Sequence, residues 1–212
     1  VLDEKALVDS ITSQITGKNG GADVVANGAL VESEADITAN ELRTIDTRIS
    51  SFTTYFSPGN SGHNIQTGAS YFNNTLLMPG EEFSCTDGIG PTTAERGFVS
   101  SNTYVGGKVV PGMGGGVCQI ATTLYNAELR AGILPTERQN HMMTVGYVGI
   151  GLDATLADDL IDLRFVNTYD YPLIITTSST SGSLTVEIWS NSNATNGYTY
   201  EPRVEAISSL DC

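Results

Sequence analysis

Positive charge is scarce in this chain. Ten lysines and arginines face 24 aspartates and glutamates, for a formal net charge of −14 at pH 7. Nucleic-acid phosphates and anionic membrane surfaces are gripped through Lys and Arg, so both are excluded as partners. The acids are scattered without a run of like charge and serve as solvating surface. Charged residues of either sign make up only 16% of the chain, while Thr, Ser, Asn and Gly are plentiful, a composition that suits an extracellular protein. Cysteine and histidine are equally sparse: three Cys (Cys85, Cys118, Cys212) and two His (His63, His141). With no C-x-x-C and only two histidines a zinc site cannot be completed, so neither metal nor cofactor is expected. An odd number of cysteines leaves at least one free or paired between chains; a Cys85–Cys212 disulfide would leave Cys118 free. Long apolar runs are missing too, and with them any bilayer-spanning segment. No signal peptide is visible at Val1; "VLDEKALVDS" reads as a cut inside a longer protein, from which a signal or anchor could have been removed.

What is present is enough for one large domain, or one domain with a small appendage: 212 residues, 40% hydrophobic. Residues 3–16 predict an amphipathic helix, with Asp3 as N-cap and Leu7, Ile11 and Ile15 on one face. "NGGADVVANGALV" reads as turn, strand, turn, strand. "TANELRTIDTRI" opens with a capping box, Thr38 with Glu41, and carries a helical stripe of Leu42, Ile45 and Ile49. "SPGNSGHN" (57–64) is a loop and the best internal boundary. After it, Ile65, Ala69 and Phe72 predict a helix capped by Asn64. "MPGEEFS" reads as a turn into a strand, and "DGIGPTTAERG" as turns. The clearest element is a helix from about Cys118 to Ala131, with Ile120, Leu124, Ala127 and Ala131 on one face and Gly132 as its stop. "LIDLRFVN", "PLIITTS" and "SLTVEIWS" read as strands, the last two joined as a hairpin through "STSG". The tail from 191 to 212 is an extra strand or a linker. The sum is an α+β fold, a mixed or antiparallel sheet packed with a few helices.

Chemistry concentrates in "GMGGGVCQIATTLYN" (112–126). Glycines ahead of a helix let backbone N–H groups approach a ligand closely. A cysteine in the first turn feels the positive end of the helix dipole, which stabilises its thiolate. The same N–H groups, at Gly116–Gln119, can hold an oxyanion. The plainer reading is a glycine-rich turn before a buried packing thiol, and local sequence favours neither. A nucleophile needs a base. "ERQNHMM" offers His141, which would begin a strand, "HMMTVGYV", returning along the helix; otherwise it is a surface or core histidine. Asp153 in "GIGLDAT", or Asn167, would orient the imidazole, or each is a turn residue. Arg138 suits a substrate carboxylate, or pairs with Glu137. Asp158, Asp159 and Asp162 do not fit an EF-hand and read as a solvated turn.

Taken in order, "NIQTGASYFNNTLLMPGEEFS", "GGGVCQIATTLYNAELRAGI", "ERQNH", "GLDAT" and "LRFVNTYDYPLII" resemble the VanW family over about Ser51 to Ser190. The G-G-G-x-C-Q, E-R-x-x-H and G-x-D-A-T blocks are far more specific together than singly. Three segments follow: residues 1–50, which look like the end of the peptidoglycan-binding domain that often precedes VanW domains; the VanW domain, 51–190; and the tail, 191–212. The resemblance implies a bacterial cell-surface protein, outside the membrane and anchored through a segment absent here. Some members are assigned as L,D-transpeptidases with a cysteine nucleophile, distinct from the better-known family in which His precedes Cys. That maps the nucleophile to Cys118 and the base to His141. With the readings above, the expected catalytic set is Cys118, His141 and Asp153, and the expected substrate contacts are Gly114, Gly115, Gly116, Gln119 and Arg138. The substrates would be peptidoglycan stem peptides, joined in 3→3 crosslinks. The rival expectations are a non-catalytic cell-wall-binding module and a cysteine hydrolase with L,D-carboxypeptidase activity. Met142 and Cys85 depart from the family pattern, where a small hydroxyl residue and an aromatic are usual. An enzyme requires Cys118 and His141 to meet in an open groove.

Overall fold

The computed structural model describes residues 2–16, 23–26, 28–30, 37–105, 108–157 and 160–205. The chain forms two compact units, Val1–Ala39 and Asn40–Cys212. In the first, α1 (Glu4–Thr16) begins as its cap predicts, Asp3 Oδ1 accepting the Ala6 N–H at 2.9 Å. None of its side chains is buried, so the Leu7, Ile11, Ile15 stripe covers no core among the described residues. The amide of Gln14 clasps the backbone of Val25 from both sides, at 2.8 and 3.1 Å. Much of the strand pattern expected at 19–31 lies outside the described residues; within them Leu2 and Leu30 form one bridge.

The second unit departs from expectation at its start. The helix expected through Ile49 is a single turn, α2 (Ala39–Leu42), followed by strand β1 (Thr47–Tyr55). Thr47, Ile49, Thr53 and Thr54 are β-branched, which disfavours a helix and suits a pleated surface. Partner strand β9 (Ser183–Ser190) pairs with β1 from Thr47 opposite Ser190 to Tyr55 opposite Ser183. A boundary at residue 50 would therefore cut a paired strand, and the compact unit starts at Asn40 instead. Nor does 57–64 separate domains: it leads into α3 (Asn60–Tyr71), which begins after Gly59.

The main sheet has the order β1-β9-β8-β2, all antiparallel, with β2 (Thr75–Leu77) and β8 (Leu173–Ser179). The β8–β9 hairpin and its alternation are as the sequence predicts, with Leu184, Val186 and Ile188 wholly buried. A second sheet has the order β3-β7-β6, from β3 (Glu82–Ser84), β6 (Pro135–Glu137) and β7 (Arg164–Val166). A separate hairpin, β4 (Ser100–Val105) with β5 (Lys108–Met113), was not legible in the sequence. Short helix α4 (Cys85–Ile89) is capped by Ser84, whose Oγ accepts the Asp87 N–H at 3.0 Å. Among the described residues the tail from 191 to 205 forms turns rather than a strand. Cys212 lies outside the described residues, and with it the Cys85–Cys212 pairing; Cys85 is a free, wholly buried thiol.

At the centre is α5 (Cys118–Arg130), ended by Gly132 at φ 77°. Its apolar face, Ile120, Leu124 and Ala127, is wholly buried, but so are Thr122, Thr123, Asn126 and Glu128. A helix buried on its polar face as well as its apolar one must find partners for those polar side chains inside the protein. The same demand corrects the reading of Asn64. It caps nothing; it sits inside α3, wholly buried. Its Oδ1 accepts the Val99 N–H at 2.9 Å, and its Nδ2 donates to the carbonyls of Val99 (2.9 Å) and Gly115 (3.0 Å).

Replacing Asn64 by Leu leaves buried backbone groups without partners, at a cost of about 2–4 kcal/mol. Urea unfolding monitored by circular dichroism should show a lowered midpoint with an unchanged slope.

Candidate active site

The site starts at the glycine loop. Gly114 and Gly116 take φ of 73° and 108°, the left-handed region that side chains resist. A side chain on Gly115 would run into the Asn102 carbonyl oxygen, because the β4 backbone passes directly over the loop. The loop closes onto α5 through Val117 N–H to Gly114 O (3.2 Å) and Gln119 N–H to Gly116 O (3.0 Å). Those two amides are thereby engaged. The expected oxyanion donors narrow to Gly116 and Cys118, whose N–H groups meet no acceptor among the described residues. Gln119, expected as a substrate contact, borders the groove, and its buried Nε2 donates to Thr54 Oγ1 and Tyr55 O, both at 3.0 Å, tying the loop to β1.

Polar residues four apart along α5 then grip an extended segment, 152–156. Leu156 N–H and Leu156 O both lie 3.5 Å from Cys118 Sγ. Thr122 Oγ1 donates to Ala154 O at 2.9 Å and accepts from Ala154 N–H at 3.0 Å. Asn126 Nδ2 donates to Leu152 O at 2.7 Å. Four helical residues rise about 6.0 Å and two extended residues about 6.6 Å, so positions 118, 122 and 126 match 156, 154 and 152, running antiparallel. Sequence reasoning missed Thr122 and Asn126. Their signal was the four-residue spacing of hydrogen-bonding side chains from Cys118.

On its other side the segment receives residues 138–141. Thr155 N–H donates to Gln139 O at 2.9 Å. Asp153 Oδ2 accepts both the His141 backbone N–H and ring Nδ1, each at 2.7 Å. The strand expected from His141 is absent: residues 142–148 form bends, and it is 152–156 that lies along the helix. The His141 ring stands beside the Cys118 thiol, near enough for each to shift the other's ionisation, so the three expected catalytic residues are grouped in the order Cys118, His141, Asp153. Burial opposes ionisation of Cys118, but hydrogen bonds from His141, Thr155 and the Leu156 backbone outweigh it and bring the thiol below its ordinary value. Burial also opposes the charged imidazole, yet its bonds to Cys118 and Asp153 hold His141 above the ordinary range. Asp153 feels the same balance: burial pushes its carboxyl up, and the His141 N–H and ring bring it below the ordinary value. All three directions favour a thiolate–imidazolium pair backed by a carboxylate.

Arg138 is placed otherwise than expected. Its Nε donates to Asp153 O at 2.8 Å and its Nη2 to the carbonyls of Asp153 (2.5 Å) and Gly151 (3.1 Å), while the guanidinium lies over the Tyr125 ring at 5.0 Å. It props Asp153 instead of offering a fork to a substrate. Asn167 is a turn residue, bonded to Leu77 O, Tyr171 O and Tyr169 N–H. His63 is held by Gly97 O at 2.8 Å. Asp162 is no solvated turn: it is buried and accepts from Ser84, Thr86 and Leu163; Asp158 and Asp159 lie outside the described residues. Burial pushes the carboxyl of Glu128, whose oxygens have no partner among the described residues, well above the usual range. Among the described residues no group of three or more His, Cys, Asp or Glu is arranged to hold a metal.

Cys118, His141 and Thr155 open into a groove of about 1100 Å³, walled by the glycine loop, the β4–β5 hairpin and Thr144–Tyr147. A family model described as "VanW like protein" matches residues 60–189. The chain is 35% identical over 146 residues to an uncharacterized protein, YoaR, of Bacillus subtilis, covering 68% of this chain and 48% of that protein. It is 27% identical over 116 residues to the vancomycin B-type resistance protein VanW of Enterococcus faecalis, covering 52% of this chain and 42% of that protein. The chain thus spans about half the length of these curated relatives. No solved structure matches it significantly.

The charge pair fixes a pH signature. Asp153, held low, contributes stability above the ordinary carboxylate range and loses it as pH falls through its lowered value. His141, held high, contributes fully below the ordinary imidazole value and loses it as pH rises through its raised value. Asp153→Ala should therefore cost most at about pH 5–6, about 2 kcal/mol, and less on either side. Urea unfolding of both proteins at pH 3, 5.5 and 9 checks this, and a pH-independent difference would rule the pair out.

Proposed function

The chain belongs to the VanW family, and on that footing we propose that it is a cysteine acyltransferase of the bacterial cell surface, a peptidoglycan L,D-transpeptidase. The observation that supports the reading is the grouping of Cys118, His141 and Asp153, with Cys118 and His141 facing a groove large enough for a peptide. The relative named for vancomycin B-type resistance supports a cell-wall setting. No helix among the described residues is long and apolar enough to cross a membrane; anchorage is proposed to lie in a segment outside these residues.

In the proposed reaction the Cys118 thiolate attacks the carbonyl of the L-centre of a diamino acid in a tetrapeptide stem. The carbonyl electrons move to oxygen, which meets the N–H groups of Gly116 and Cys118. Collapse expels D-Ala as its amine, protonated by His141, and leaves a thioester on Cys118. The side-chain amine of a neighbouring stem then attacks the thioester. His141 takes the amine's proton, and the sulfur leaves as thiolate, giving a 3→3 crosslink. Asp153 holds the imidazole through Nδ1 and stabilises its charged form. Water in place of the amine gives L,D-carboxypeptidase activity.

Purified protein incubated with tetrapeptide-stem muropeptides should yield dimers or D-Ala, read by mass spectrometry. Cys118→Ala and His141→Ala should each lose about a thousandfold or more in rate. Activity retained in Cys118→Ala overturns the nucleophile. Wild-type protein that pulls down sacculi but forms no product establishes the binding module instead.

A further inference from the structure

Thr155 stands two residues beyond Asp153 on the same extended segment, so the two side chains leave the same face. Asp153 reaches His141, and Thr155 Oγ1 lies 3.5 Å from Cys118 Sγ. Among the described residues the Thr155 hydroxyl has no other polar partner. Its neighbours on α5 differ: the hydroxyls of Thr122 and Thr123 both donate to backbone carbonyls, of Ala154 and Gln119. Thr155 also lines the groove beside Cys118, where a reacting carbonyl would approach.

The partners of the sulfur change with its charge. As a thiol, Cys118 donates S–H to Leu156 O at 3.5 Å. Once that proton has moved to His141, the anion faces a carbonyl that can no longer accept from it. It then needs donors, and those within reach are His141, the Leu156 N–H at 3.5 Å and the Thr155 hydroxyl at 3.5 Å. The hydroxyl proton turns freely about its C–O bond and can follow the charge, which a fixed backbone amide cannot.

We propose that Thr155 is a catalytic residue whose hydroxyl donates to the Cys118 sulfur whenever the sulfur is anionic. The inference rests on Cys118 being the nucleophile of the proposed reaction. During acylation the sulfur's electron pair forms the C–S bond, its negative charge passes to the carbonyl oxygen, and the hydroxyl loses its acceptor. During deacylation the C–S pair returns to sulfur and the hydroxyl donates again, so Thr155 assists sulfur both as the attacking thiolate and as the leaving group. The other titratable or charged groups facing this exchange are His141, Asp153 and Arg138 behind it, and Cys85, whose thiol burial pushes well above its ordinary value.

Iodoacetamide alkylation of the intact protein tests this without any substrate. Its rate is followed against pH on the Cys118 peptide by mass spectrometry, which separates Cys118 from the other thiols. Thr155→Val keeps the shape and removes the donor. Its alkylation midpoint should rise by about one pH unit, while Thr155→Ser should stay within a few tenths of wild type. A Thr155→Val midpoint equal to wild type overturns the proposal, as does a Thr155→Ser midpoint that moves as far as Val. If circular dichroism shows Thr155→Val unfolded, Thr155→Ala against Thr155→Ser makes the same comparison. A shifted midpoint in a protein that forms no crosslinks retains the hydroxyl's role and removes only the transpeptidase reading.

Discussion

The candidate site depends on the polar seam between α5 and the extended segment 152–156. Thr122 and Asn126 are wholly buried and must be satisfied within the protein, and backbone groups of Ala154 and Leu152 satisfy them. Two extended residues nearly equal four helical ones in rise, so the seam stays in register to its end at Cys118. That register sets Thr155 against the sulfur and Asp153 two residues away, in reach of His141. The helix carries Cys118 and also the template that places its neighbours.

Around this seam the protein fixes each movable part from behind. Arg138 holds the carbonyl of Asp153 while resting on Tyr125 of the same helix, so the carboxylate is braced from α5 as well as from His141. Asn64 holds Gly115 to Val99, and the β4 backbone lies against Gly115, so the loop that presents free N–H groups is clamped on both faces. Preorganised donors of this kind stabilise a developing oxyanion without rearranging during the reaction. The groove side stays open, and the buried side carries the cost of burial, which pushes the Cys85 thiol and the Glu128 carboxyl well above their ordinary values.

Several features were legible because they are local. The α5 helix, its apolar face and its glycine stop follow from residues within a few turns of one another, and the alternation of β9 follows from one strand. For the partner of His141 the sequence left Asp153 and Asn167 open, and the structure joins Asp153 to it. Other features were not legible. Asn64 resembled a cap because caps favour Asn, but its partners, Val99 and Gly115, are far along the chain. Arg138 resembled a substrate ligand because its fork suits carboxylates, yet backbone carbonyls of Gly151 and Asp153 occupy it. The stripe ending at Ile49 resembled a helix, and only pairing with β9, more than 130 residues on, makes it a strand.

The sequence by itself determined that a cysteine opens an amphipathic helix after a glycine loop, and that a histidine and an aspartate follow it in a set order. Spacing and composition suffice for that, because helix periodicity, glycine's freedom at positive φ and the helix dipole act over a few residues. Only the tertiary structure decided which groups meet. It joined His141 to Cys118 and Asp153, turned Arg138 and Gln119 inward, and set the Thr155 hydroxyl on the sulfur. The physical reason is that a buried polar group takes whatever partner the packing of distant segments brings to it, and that partner is not written in the residues beside it.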